Sequence, residues 1–445
     1  MVLDFETVGK LRAKLFLVDP FQIKNDLLES KSVDIKTIAK LWKSFLKYKP
    51  DANIDFYFHT PFCLHNKCKF CQYFSKRINS MTDLDNYLDI FEKYVTFFAP
   101  IFKGFKFRSL YFGGGTSSIY NVQQLKRLFK LIFGNFQFKD DTDKTFEISF
   151  YTATLDKIDI ALSYGINRFT MGIQSWDPEV LEKANRVKPV ESAIKRIIKF
   201  IREKSNAIIN LDLMLGLPGD TLDKLKDSIF KTLSLKPDII TLYEFYNTEK
   251  VRERNKNDPF YSNYKEPYLI EDVKNLLKEI KSGFPEYHFS LNHTYVLKIY
   301  KGDADKTSGY YNTQPLWMLQ NSVFGNGPFS QSFIENYFFY MIKDFSDFKN
   351  FKITLFYNNN PLIMKLKYIV DYFSIYHKID IIHYFRTFNS EFEKDFKEAI
   401  EFLIKEKKLT KEGNNYVVYP KDTHDLIDIC LLFWPEDDLK KRGLI

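Results

Sequence analysis

From residue 54 to about residue 245, short β-patterned runs alternate with amphipathic helical stretches, and this alternation constrains the fold more than any other feature. The strand candidates are Ile54–His59, Arg108–Phe112, a run around Glu147, Phe169–Ile173, Ile208–Leu213 and Ile239–Tyr243. Between the first of them, Thr82 with a capping-box-like Asp85 opens a helix whose apolar stripe is Leu84, Tyr87, Leu88 and Phe91. Asn121 and Gln124 cap a second, with Leu125, Leu128, Phe129 and Ile132 on one face. Further helices are predicted ending at Gly165, beginning at Asp177-Pro178, and following Asp220. Such a run predicts an α/β fold, a parallel sheet or barrel with helices outside and functional loops at the carboxyl ends of the strands.

The flanks read differently. Residues 1–50 place Ile35, Ile38, Trp42 and Phe45 at helical spacing and predict a helical extension packed on the barrel, which spans 51–255. Residues 256–360 are less regular and predict an extension covering the barrel. In 361–445, helices near Ile379–Phe385 and Phe392–Lys405 precede a hairpin around Gly413-Asn414-Asn415, a winged-helix-like pattern. With 45% hydrophobic and 27% charged residues in a chain of 445, wholesale disorder is excluded.

A net charge of +8, spread without long like-charge blocks, fits anionic small molecules at least as well as nucleic acid, and no nucleic-acid partner is expected. The first residues lack the basic flank and apolar core of a signal peptide, and no stretch of about 18 uncharged apolar residues occurs. A cytoplasmic location without membrane insertion is therefore expected. The cysteines agree with a reducing compartment, because three of the four stand at 63, 68 and 71 and the fourth, Cys430, lies far away.

Cys63, Cys68 and Cys71 form a C-x4-C-x2-C loop directly after a strand. Soft thiolates select zinc, copper(I) or iron–sulfur clusters. Three thiols are one short of a closed site, so a [4Fe–4S] cluster would keep one iron open for an exogenous ligand. The alternative is a structural zinc site completed by His59 or His65. Lys67 and Lys69 are expected to lower the thiol pKa values in either case. Glycines Gly113, Gly114 and Gly115 at the next strand end allow close backbone approach, so that their N–H groups can face a ligand, with Thr116 adding a hydroxyl.

Four segments, in order, resemble the radical S-adenosylmethionine superfamily, and within it the oxygen-independent coproporphyrinogen III oxidase-like family with its heme chaperones and class C methyltransferases. They are Tyr57–Cys71, Phe112–Ser118, Gly165–Arg168 through Gly172–Ser175, and Asp212–Gly219. The resemblance implies a partial (β/α)6 TIM-like barrel, a [4Fe–4S] cluster on Cys63, Cys68 and Cys71, and one or two S-adenosylmethionine molecules cleaved to a 5′-deoxyadenosyl radical. It implies cofactor contacts from Tyr57, from Phe70 near the adenine, from Gly114, Gly115 and Thr116, and from Glu147, 18 residues before Gly165. Gln174, Arg186 in the following helix, and Asp212 match positions that contact a second S-adenosylmethionine or the ribose of the first.

It further implies a small-molecule substrate of tetrapyrrole or other aromatic type and a reductant such as flavodoxin or ferredoxin. The chain departs from the family in its four-residue gap between the first two cysteines, where three is usual, and in Gln331, which stands where chaperone-like members often carry His. Three functions follow: a radical enzyme performing porphyrinogen decarboxylation-like chemistry or methyl transfer; a heme carrier using His288, His293 or Cys430 as axial ligand; or a zinc-stabilised interaction protein.

Overall fold

Alternation along the first strand already sorts the larger part of the molecule into layers. In β1 (Ile54–Thr60), Phe56 and Phe58 share the face turned to the helices, Phe58 meeting Phe91 of helix Thr82–Phe98 edge-on at 4.7 Å, while Asp55, Tyr57 and His59 take the other face. The rule repeats through β2 (Lys106–Gly114), β3 (Gln137–Ile148), β4 (Arg168–Gln174), β5 (Ile208–Leu215) and β6 (Ile239–Glu244). Phe112 of β2, for example, packs at 5.0 Å on Phe129 of helix Val122–Phe133.

In the computed structural model, which describes residues 3–15, 29–73, 75–290, 296–304, 322–334, 338–357 and 361–445, the six strands pair parallel in chain order. This is the expected partial barrel. It does not close on itself: β1 is extended by a parallel strand, Ser322–Asn326, and β6 by an antiparallel one, Val296–Lys301. Its inner face is polar and much of it is paired internally, although among the described residues the Thr170 hydroxyl is buried without a partner. Arg168 meets Asp143 at 3.2 Å, Ser109 donates to Asp55 at 2.6 Å, and Thr241 donates to Asn210 at 2.8 Å, all buried.

Two helix starts compare directly with the sequence expectation. Asn121 and Gln124 form the expected reciprocal cap, at 2.9 and 3.1 Å. Thr82 does not cap its helix with Asp85; Met81 holds the cap position, and Asp83 instead accepts the N–H groups of Asn79 and Ser80 at 2.8 and 3.3 Å.

The chain divides into two compact units, residues 32–355 and residues 1–31 with 356–445. Residues 1–50 are therefore not one extension. Helix Ile35–Tyr48 belongs to the larger unit, burying Ile35, Ile38 and Trp42, whose indole donates to Tyr340 at 2.7 Å. Helix Phe5–Lys14 belongs to the smaller unit and packs on helix Thr423–Leu431, tied by Arg12 to Asp428 at 2.7 Å. In that unit helices Pro361–Tyr376, Ile381–Phe388 and Lys397–Lys405 precede hairpin strands Leu409–Glu412 and Asn415–Val418. The helix expected from Ile379 starts at Ile381, because Ile379 pairs with Tyr416 and Asp380 caps the N–H groups of Ile382 and His383. Among the described residues, no helix is long and apolar enough to cross a membrane.

Candidate cofactor site at the strand ends

β1 and β2 stay in register as far as Thr60 and Gly114, and this brings the glycine run against the cysteine loop. A Cβ on Gly115 would lie 2.4 Å from the Phe62 carbonyl oxygen and 3.0 Å from the Cys63 sulfur. Gly114 has φ +110°, and a Cβ there would meet the Thr60 oxygen at 2.5 Å. Both positions therefore require glycine, but their N–H groups are not both turned to a ligand as the sequence led us to expect. Gly115 donates to Thr60 at 2.6 Å, and the Gly114 N–H serves the Glu147 carboxylate. Thr116 is buried and leads into the tight turn Ser117–Ile119.

Glu147, on the inner face of β3, receives a hydrogen bond from the Tyr111 hydroxyl, and the Tyr111 ring stacks on Tyr57 at 6.0 Å. Burial pushes the Glu147 carboxyl up to about 7, against the opposing pull of Tyr111 and Gly114. Asp212, two strands away, is raised by burial and then by the charge of Glu147, while Asn210 donates to it at 2.7 Å. The Tyr57 hydroxyl bonds His59 Nδ1 at 3.0 Å. Tyr57, Tyr111, Glu147 and Asp212 thus form one polar floor with carboxyl groups poised to accept from a cationic or hydroxylated ligand. Tyr111 and Asn210 did not emerge from the sequence; the inward alternation shared with Gly113 and Asp212 is the signal that would have found them.

Cys63, Cys68 and Cys71 are partly exposed, and Cys71 senses the charges of the other two. Among the described residues, no three Cys, His, Asp or Glu side chains converge as ligands of a single ion. The cysteine loop offers thiolates of the kind that bind separate irons of a cubane. It does not assemble the alternative zinc set: His65 lies edge-on to Tyr151 at 4.9 Å, and His59 is engaged with Tyr57. Burial raises the Cys71 thiol despite Lys67, contrary to the lowering expected from neighbouring lysines, and Lys69 is drawn off to Asp258 at 2.5 Å. Phe70 packs beside a small apolar cluster of Val180, Ala184, Leu217, Phe245, Val251 and Tyr261.

Gln174 and Arg186 come together above β4. The β4–β5 register breaks between Gly172 and Gln174, and Gln174 takes φ +73°, a bulge that turns its side chain back over Gly172. Arg186 lies not in a helix but in the loop after helix Pro178–Lys183, because Asn185 at φ +50° ends the helical path. Its Nη2 donates to Gly172 at 2.6 Å and its Nη1 to the Cys68 sulfur at 3.8 Å. Gln174 Oε1 and Arg186 Nε are buried without hydrogen-bond partners, which a polar ligand can supply. Of the remaining candidates, Gln331 and His288 are exposed, Cys430 is fully buried, and His293 falls outside the described residues.

Residues 57–231 match the Radical SAM superfamily model. Over 196 residues the chain is 32% identical to the oxygen-independent coproporphyrinogen III oxidase of Escherichia coli (strain K12), covering 44% of this chain and 42% of that protein. Over 193 residues it is 32% identical to Heme chaperone HemW of Bacillus subtilis (strain 168), covering 42% and 49%. The match thus spans less than half the length of these curated relatives. The solved structure of coproporphyrinogen III oxidase (HemN) from Escherichia coli superposes with a TM-score of 0.71 at 20% identity, over 88% of this chain and 93% of that one, so the two share a fold.

Proposed function

We propose that this chain, which carries a radical SAM domain of the oxygen-independent coproporphyrinogen III oxidase-like type, is an enzyme that reductively cleaves S-adenosylmethionine to begin hydrogen abstraction from a tetrapyrrole-like substrate. The observation that supports the reading is the packing of Gly115 on Cys63, which joins the cysteine loop to the strand end where the Gly114 N–H serves the Glu147 carboxylate.

The residues fit the cofactors on their own chemistry. Cys63, Cys68 and Cys71 would hold a [4Fe–4S] cluster and leave one iron free for S-adenosylmethionine; when bound, the pair supplies one-electron cleavage to a 5′-deoxyadenosyl radical. Glu147 offers its carboxylate to the cofactor's positive or hydroxyl groups, kept in place by Tyr111 and Gly114. Asp212 accepts from hydroxyls while Asn210 orients it. Gln174 and Arg186 bring the orphaned acceptor and donor to the same strand end. The apolar core between these strands and their helices backs the floor, and such low-dielectric surroundings strengthen each of these bonds.

The test is anoxic reconstitution with iron and sulfide, reduction, and mass analysis after adding S-adenosylmethionine. Formation of 5′-deoxyadenosine is expected, and a cluster-loaded protein that forms none refutes the proposal. S-adenosylhomocysteine as co-product would move the reaction from decarboxylation-like work to methyl transfer. A second reading, heme delivery on the same fold, is favoured by the similarity to HemW. A shifted Soret band on heme addition, with no deoxyadenosine, would select it.

A further inference from the structure

We infer that Arg186 raises the reduction potential of the cluster by donating a charged hydrogen bond to Cys68, an inference that rests on the cluster proposed above. The geometry holds the arginine and the cysteine together from three sides. Lys69 donates its backbone N–H to the Ala184 carbonyl at 3.0 Å, and Asn185 Nδ2 donates to the Lys67 carbonyl at 3.1 Å. The residues flanking Cys68 are thus each tied to a residue preceding Arg186, and Arg186 Nη1 then reaches the Cys68 sulfur at 3.8 Å.

The guanidinium is fixed from below as well. Nη2 donates to the Gly172 carbonyl at 2.6 Å, and the Arg186 backbone N–H to Leu181 at 2.9 Å. Gly172 keeps this seat open, since a Cβ there would lie 3.3 Å from Nη2 and 2.5 Å from Gln174 Nε2. Two neighbouring cations are otherwise committed: Lys67 Nζ bonds the Tyr73 carbonyl and Lys69 Nζ bonds Asp258. Among the described residues, Arg186 is the cationic side chain bonded to one of the three sulfurs.

Hydrogen bonds and positive charge at a thiolate ligand favour the more negative, reduced state of an iron–sulfur cluster. A planar guanidinium anchored through Nη2 to the Gly172 carbonyl, on a backbone tied to Leu181, keeps its charge at the sulfur. Arg186 is on this argument a positioning residue for the electron, in addition to any contact with the cofactor.

The experiment compares full-length wild type, Arg186→Met, Arg186→Gln and Arg186→Lys, reconstituted anoxically without S-adenosylmethionine and checked for iron and sulfide content. The reduced fraction is then read by electron paramagnetic resonance at a series of fixed solution potentials. At one poise the ratio of reduced to oxidised cluster should fall about tenfold in Arg186→Met, equivalent to about 59 mV for one electron. Arg186→Gln, which keeps an N–H donor without the charge, and Arg186→Lys, which keeps the charge without the fork, should fall between. Iron-loaded Arg186→Met or Arg186→Gln matching wild type within about twofold would overturn the inference. A wild type that takes up no iron and sulfide would overturn the proposed function and this inference with it, whereas iron-loaded variants that match wild type overturn the inference alone.

Discussion

The contact between Gly115 and the cysteine loop can be tested by adding one carbon atom. In Gly115→Ala the new Cβ would stand 2.4 Å from the Phe62 oxygen, 2.8 Å from the Phe62 carbonyl carbon and 3.0 Å from the Cys63 sulfur. Backbone cannot rotate out of the way as a flexible side chain can, and β1 is held between two parallel neighbours. Overpacking of this kind costs about 1–3 kcal/mol. Loss of the Gly115 to Thr60 bond adds about 1 kcal/mol, for a destabilisation of about 2–4 kcal/mol. Gly165→Ala is the control: it has φ +77° but nothing within 4 Å of a Cβ, so only backbone strain of about 1–2 kcal/mol applies. Urea denaturation of the two apoproteins should rank them in that order. Iron content after reconstitution should fall in Gly115→Ala, whose clash displaces Cys63, and hold in Gly165→Ala. If Gly115→Ala proves as stable as the control and binds as much iron as wild type, the packing argument is wrong.

Three other outcomes follow from the electrostatics and burial of the site and its surroundings. Because burial lifts Glu147 from its ordinary 4.5 to about 7 and raises Asp212 from its ordinary 3.8, the folded apoprotein retains protons at these two sites that the unfolded chain releases; the stability this pair contributes is fully present below about pH 3.8 and is lost as pH rises through 7. Glu147→Gln should flatten that decline in urea midpoints measured across the range. Tyr111→Phe removes a bond that holds the carboxyl down, so the same decline should finish at higher pH than in wild type. Cys430→Ser buries a hydroxyl among Ile427, Ile429 and Leu431, and should cost about 1–3 kcal/mol while leaving reconstituted iron unchanged.

Features written in short-range pattern were legible in the sequence. The six strands alternate residues that pack on helices with residues that face inward, and Asn121 announces its helix through a side chain three residues from its partner. The thiol spacing and the glycine run show themselves in the same way, within one turn of chain. What stayed hidden depends on partners far along the sequence. Glu147 could be placed on a strand, but its pKa is set by burial, which raises it, against a bond from Tyr111, 36 residues earlier, which lowers it. Phe70 reads as an aromatic beside a cofactor, yet it packs beside Tyr261 and Val251 because loops after β4, β5 and β6 fold over it. Asp83 rather than Asp85 fixes the start of its helix because the preceding turn, not the helix, supplies the N–H groups.

The carboxyl end of β4 breaks local rules more sharply, and the breaks coincide. Gln174 adopts a left-handed backbone without being glycine, a strain of about 1–3 kcal/mol that persists only where surrounding structure determines it. Its Oε1 and the Nε of Arg186 are buried and unpaired, each a cost that a neutral surface loop would shed by turning to water. Nothing in the residue types at 172–186 demands this arrangement, whereas the tie from Arg186 to both Gly172 and Cys68 does. The same end of the strand therefore holds strain, orphaned polar atoms and the bridge to the thiols, which is the combination expected where a bound ligand, not the chain itself, completes the hydrogen bonding.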